Sequence, residues 1–185
     1  MAQEDYFLKI DGIEGESTQK GHEQEIEIAG WAWEARNAGS FAGNMGGGSG
    51  KVVMRDFKFY VQANKATPKL FLACCTGDHI KSATLTCRKA GKTPQEYLKW
   101  KFTDLLISSY TIGGGITERG IVSRQQSSPG NPGVDVESGD IFLMPTDQIT
   151  FNFAKVEISY APQKADGSLD AAMPAGFNLK TGTKV

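Results

Sequence analysis

Apolar and polar residues alternate along most of the chain, the two-residue period of strands that bury one face. Tyr6 to Ile13 is predicted as a first strand, with Phe7, Ile10 and Ile13 among its apolar positions, ahead of the polar loop Glu14-Gly15-Glu16-Ser17. A second runs from Glu23 to Ala35, with Ile26 and Ile28 on one face and Glu25 and Glu27 on the other. Its later aromatics, Trp31 and Trp33, stand at odd positions, so the phase flips across Ala29-Gly30. An inserted residue would keep the tryptophans inside, which predicts a β-bulge at Gly30. Ile149 to Tyr160 flips in the same way, from Ile149, Phe151 and Phe153 to Val156, Ile158 and Tyr160. Two bulges in long strands indicate a curved or closed sheet.

Further strands are predicted over Val52 to Gln62, with Phe57, Phe59 and Val61 in phase, over Ser82 to Lys89, and over Glu96 to Tyr110, where Leu98, Trp100 and Phe102 alternate with Lys99, Lys101 and Thr103. A short strand is expected around Phe177 to Thr181, and another over Ile141-Phe142-Leu143-Met144. One segment is helical in character, Thr67 to Gly77: Thr67 can cap it, Pro68 suits the first turn, and Gly77 suits a left-handed stop. Leu70, Phe71 and Cys74 then share a face. The predicted fold is mainly β, an antiparallel two-sheet barrel with one short helix at its side. Trp31, Trp33, Phe57, Phe59, Leu70, Cys74, Trp100, Phe151 and Phe153 are its expected core.

Composition narrows the class. The chain has 185 residues, 39% of them hydrophobic and 10% aromatic, enough for a packed core and about one domain, expected to span 1–185. Its net charge is 20 − 21 = −1, without the basic excess that phosphate neutralisation requires, so nucleic acid is not expected as a partner. No stretch reaches the roughly 18 apolar residues of a membrane helix. The acidic start Met1-Ala2-Gln3-Glu4-Asp5 is unlike a signal peptide, so synthesis in the cytoplasm without a leader is expected. Three cysteines, Cys74 and Cys75 adjacent, make no disulfide framework. The 22 glycines exceed the roughly 13 of average usage. Many lie in two places: Gly39 to Gly50, and a stretch opened by Gly113-Gly114-Gly115 and running to Asp147, expected to be a loop insertion over 113–147.

Signals for chemistry are weak. Gly46 to Lys51 lacks the first glycine of a phosphate loop, where Met45 stands, and has Val52 in place of the hydroxyl residue. Cys75 and His79, four apart, could pair as thiol and base on a continuous helix, but Gly77 falls between them. Cys74, Cys75, His79 and Cys87 lack the spacing of a zinc knuckle. Glu23, Glu25 and Glu27 fit a solvated strand edge, and His22 stands alone beside them. No catalytic residue, metal or cofactor is expected, and the three tryptophans fit a core better than a stacking platform.

Taken in order, GESTQKGHEQEIEI, the Trp31-Ala32-Trp33 motif, Gly46-Gly47-Gly48 leading to Lys51-Val52, TPKLFLACCTGDH at Thr67 to His79, RKAGKTPQEY at Arg88 to Tyr97 and NFAKVEISYAPQKADGS at Asn152 to Ser168 resemble the haemolysin-coregulated protein (Hcp) family. The resemblance implies two packed β-sheets with a helix at the side. It also implies six-subunit rings stacked into the hollow inner tube of the type VI secretion machine, with the sheath, spike and baseplate proteins as partners and effectors held in the lumen. The subunit would leave the cell by that route, in a structural rather than catalytic role. The residue between the two tryptophans would face the lumen, here Ala32 where serine is familiar, with Glu34 on the same side. Gly39, Ser40, Gly43, Met45, Gly46, Gly47 and Gly48 would reach a neighbouring ring, with glycine allowing close backbone approach. The alternatives are a monomeric β-barrel that binds a small ligand through its Gly-rich loops, and a thiol enzyme built on Cys75 and His79.

Overall fold

The structure, a computed structural model, describes residues 4–37, 51–89, 94–113, 145–164 and 166–185. The expected ring-contact residues from Gly39 to Gly48, the run Ile141 to Met144 and most of the 113–147 insertion lie outside these residues. The fold is antiparallel β with one helix among the described residues. In chain order the elements are β1 (Glu4–Ile10), β2 (Ile26–Glu27), β3 (Gly30–Ala32), β4 (Ala35–Asn37), β5 (Val52–Met54), β6 (Phe57–Gln62), α1 (Thr67–Thr76), β7 (Ile80–Lys89), β8 (Gln95–Gly113), β9 (Thr146–Tyr160), β10 (Met173–Asn178) and β11 (Thr183–Lys184).

Two long strands organise everything else. β9 pairs with β8 from end to end, from Tyr160 opposite Leu98 to Thr146 opposite Gly113. The other edge of β9 is divided: Thr146 to Phe151 pairs with β6, and Lys155 to Tyr160 pairs with β10. One branch therefore runs β11-β10-β9-β8-β7-β1-β2, and a second leaves β9 through β6 to β3. The phase flip of β9 falls where its partner changes. Phe151 and Phe153 are buried before it and Val156 after it. No residue is inserted there, because Leu105 opposite Phe153 and Thr103 opposite Lys155 keep one register. Asp104, between them on β8, adopts φ 55, so both strands turn over together. The inserted residues lie instead in β8, at Tyr97 against β7 and at Ser108 against β9.

The bulge expected at Gly30 is likewise absent. Ile26 and Glu27 pair with Leu8 and Phe7 of β1, the Ile28 amide donates to the Tyr6 carbonyl, and from Ala29 onward the chain bonds to β6. A change of partner, not an extra residue, reverses the phase. The same segment joins the ends of the two branches, so the wrap is completed through residues 26–32 rather than by a closed ladder.

Inside the wrap, Phe57, Phe59, Phe102, Phe151, Leu8, Leu70, Leu85 and Ile149 are wholly buried, and Phe153 nearly so. Trp31, Trp33, Trp100 and Cys74 are half-buried against this core. The helix ends as expected at Gly77, whose φ of 67 lets its amide reach the Ala73 carbonyl at 3.0 Å. Its start differs: Thr67 is the first helical residue, and no side chain caps the helix. The Thr67 hydroxyl accepts from the Asn64 amide and donates to buried Asp147 at 2.5 Å, tying the helix to the start of β9. Leu70 and Ala73 form the buried face, whereas Phe71 is 52% exposed and meets the edge of Tyr110 at 5.6 Å.

A satellite core sits on the outer side of β1. Phe7 points away from the main core yet is buried, because the 11–25 segment folds over it. Gly15 permits this crossing: its amide bonds the Gln24 carbonyl at 2.7 Å, and a Cβ there would lie 2.2 Å from the Glu25 oxygen. His22, expected to be solvated, is buried, as is Arg88. Arg88 is held to Asp5 at 2.9 Å and to Gln19 at 3.2 Å, and its guanidinium lies 4.7 Å from the Phe7 ring centre.

Candidate functional site

An exposed polar face on the branch β3-β6-β9-β8 is the candidate site. Its position is set from behind by aromatic packing. Trp31 stacks on Phe57 at 5.9 Å and meets Trp100 edge-on at 6.0 Å; Trp33 meets Trp100 at 5.2 Å and Phe153 at 6.1 Å. The Trp33 indole also donates to the Arg55 carbonyl at 2.9 Å. With both tryptophans held inward, alternation turns Ala32 and Glu34 outward, and both are exposed.

Register extends the face into rows. Ala32 lies opposite Lys58, Lys58 opposite Thr150, and Thr150 opposite Ser109. Gly30 lies opposite Tyr60, Tyr60 opposite Gln148, and Gln148 opposite Thr111. Nearby carboxylates are engaged: Asp56 accepts from the Ser108 hydroxyl, which also lies 2.9 Å from the Thr150 hydroxyl. Glu34 pairs with Arg36 and, at 3.6 Å, with Arg55. Beside Ala32 and Gly30, the rows carry hydroxyl, amide and phenol groups and one ammonium, that of Lys58. Lys58, Tyr60, Gln148 and Thr150 were not singled out from the sequence. The signal available was their place between the core residues Phe57, Phe59 and Val61 and between Asp147, Ile149 and Phe151.

The other candidates do not converge. Cys75 is exposed on α1, and His79, beyond Gly77, faces Asp104 at 3.5 Å. No hydrogen bond or ion pair joins Cys75 to His79 among the described residues. Cys87 is buried in β7, where burial pushes its thiol up to about 12. No cluster of three or more potential metal ligands occurs among the described residues.

Glu23, Glu25 and Glu27 do not form one solvated edge. Glu25 meets His22 Nδ1 at 2.8 Å, Glu27 accepts from the Ser17 hydroxyl at 2.7 Å, and Glu23 accepts from the Gly21 amide at 3.0 Å. The other nitrogen of His22 faces Glu96 at 3.2 Å. The Lys99 ammonium holds the Glu96 carboxyl below its usual range, against partial burial, and His22 adds to the effect. At the outer end of β1, Glu4 accepts from Tyr6 at 2.8 Å and from Tyr97 at 3.0 Å. That bond to Glu4, with burial, pushes the Tyr6 phenol up to about 12; burial and then the Glu4 bond raise Tyr97 as well.

A twisted antiparallel wrap with one side helix and an exposed polar face, lacking a convergent set of catalytic groups among the described residues, defines a β-rich protein suited to assembly. Residues 7–160 match the family model described as "Type VI secretion system effector, Hcp", and the chain belongs to that family. It is 36% identical over 178 residues to "Protein hcp1" of Pseudomonas aeruginosa, covering 95% of each chain. Among solved structures it is similar to one titled "Structure of a type six secretion system protein", with a TM-score of 0.80, 26% identity and 99% and 100% of the two chains covered. It is also similar to Hcp1 from Salmonella typhimurium, with a TM-score of 0.69, 29% identity and both chains fully covered. No helix among the described residues is long and apolar enough to cross a membrane.

Proposed function

We propose that this chain is the tube subunit of a type VI secretion machine. Six copies close into a ring, rings stack into a hollow tube, and the Ala32–Glu34 face lines the bore and holds effector proteins. The role is structural, without catalysis. The subunit is made in the cytoplasm and leaves the cell with its cargo, contacting sheath, spike and baseplate proteins on the way. The Gly39 to Gly48 segment contacts the next ring.

The observation that carries this reading is the polar face around Ala32, exposed while its reverse side is packed by four aromatic contacts of Trp31 and Trp33. A bore wall needs that combination of a rigid back and a small, wettable front. Membership of the family supports the assembly. Apolar side chains left exposed on one subunit, such as Tyr160 and Met173 paired across β9 and β10, suit burial between identical copies. Native mass spectrometry of the purified protein tests the assembly: the expected species contains six chains, and a strictly monomeric species at high concentration would refute it. Replacing Ala32 with Gln tests the bore: effector retention should change more than ring stability, and unchanged effector levels would remove Ala32 from the bore.

A further inference from the structure

We infer that Lys58 selects the cargo of the proposed bore, favouring protein surfaces that present aspartate and glutamate. This rests on the reading of the Ala32 face as the bore wall.

Lys58 stands at the middle of the face, directly between Ala32 and Thr150. Its side chain is half-buried, yet it forms no ion pair among the described residues. The nearest acids have other partners. Asp56, two residues away, accepts from Ser108, and Glu34 pairs with Arg36 and Arg55. Lysines at the far ends of β8 and β9 differ: Lys155 has Glu157 at 2.9 Å, and Lys99 pairs with Glu96. A partly desolvated ammonium without an ion-pair partner among the described residues leaves an interaction open to an incoming carboxylate. Ala32 keeps it open. Residues directly opposite in antiparallel pairs are the ones whose side chains can cover it: Thr150 is short and turned to the Ser108 hydroxyl, and the methyl group of Ala32 is too short to do so. Six copies would place six ammonium groups around one bore, so modest contacts would add.

The test uses the assembled protein and a fluorescent polyglutamate peptide as probe, with binding read by anisotropy and ring integrity by native mass spectrometry. Lys58→Gln should weaken binding at least about five-fold, the factor that one close charge contact in water supplies, and Lys58→Glu should weaken it further. Lys58→Arg should retain it. Lys101→Gln, at an exposed lysine of β8 opposite Glu157 and away from the Ala32 rows, should change binding by less than about two-fold. Ala32→Gln, by covering Lys58, should also weaken the probe. If Ala32→Gln weakens binding but Lys58→Gln binds like the parent, Lys58 is not the selecting group while the bore reading stands. If neither variant alters binding to an intact ring, the bore assignment fails and this inference fails with it.

Discussion

The imidazole of His22 lies flat on the phenyl ring of Phe7, with centroids 4.2 Å apart and planes 5° from parallel. Its two nitrogens face Glu25 and Glu96, so one side chain seals the satellite core and links the 11–25 segment to the start of β8. Replacing His22 with Ala removes the stacking surface and leaves Phe7 open to water. The expected loss is about 2 kcal/mol in urea unfolding, with faster amide exchange in the 11–25 segment than in β6. Unchanged stability would mean that the stack contributes nothing net.

Two glycines separate close approach from strand-switching. Gly15→Ala places a methyl group against the Glu25 backbone and should cost at least about 2 kcal/mol by chemical denaturation. At Gly30 an added Cβ meets nothing within 4 Å and φ is not positive, so Gly30→Ala should stay within about 0.5 kcal/mol of the parent. A large loss at Gly30 would restore the bulge that the sequence pattern predicted.

That pair of glycines shows what the amino-acid pattern conveys. Alternation reports which side chains are buried, so Phe57, Phe59 and Val61, Phe151 and Phe153, and the helix stop at Gly77 were all legible. It does not report which strand lies alongside. The flip before Trp31 arises because the chain leaves β1 for β6, and the flip after Phe153 because β9 changes partner while Asp104 turns β8 with it. His22 was misjudged for a related reason: β1 is buried on both faces, the second by a loop whose return the alternation does not report. The outward position of Ala32 followed from the tryptophans, but the rows completed by Lys58, Tyr60, Gln148 and Thr150 needed the sheet order.

Alkaline stability should depend on Glu4. Tyr6 and Tyr97 are raised in the folded state, so each contributes stability that is fully present below the ordinary tyrosine value. That stability is lost as pH rises through the folded value, about 12 for Tyr6. Denaturant midpoints should therefore fall above about pH 10, and the tyrosinate absorbance of Tyr6 should appear late. Glu4→Gln should bring it forward and flatten the alkaline loss; an unaltered titration would show that Glu4 does not govern it. On the acid side the sign reverses: the lowered carboxyl of Glu96 contributes stability above its ordinary value and loses it as pH falls through the folded one.

The three thiols should react in order of access. Exposed Cys75 should be modified first by a disulfide reagent at neutral pH, and half-buried Cys74 more slowly. Cys87, buried and raised to about 12, should react only after unfolding. Cys75→Ser should abolish the fast phase and leave ring assembly and secretion intact. Loss of assembly would give that thiol a role that its exposed position does not suggest.

The central claim, a ring whose bore is walled by the Ala32 face, is tested most directly by an electron cryomicroscopy reconstruction of the purified protein. The account predicts a closed six-fold ring with the Trp31–Glu34 segment against the central opening and Ala32 and Lys58 facing into it. Monomers throughout, or a ring that carries this segment on its outer wall, would contradict it.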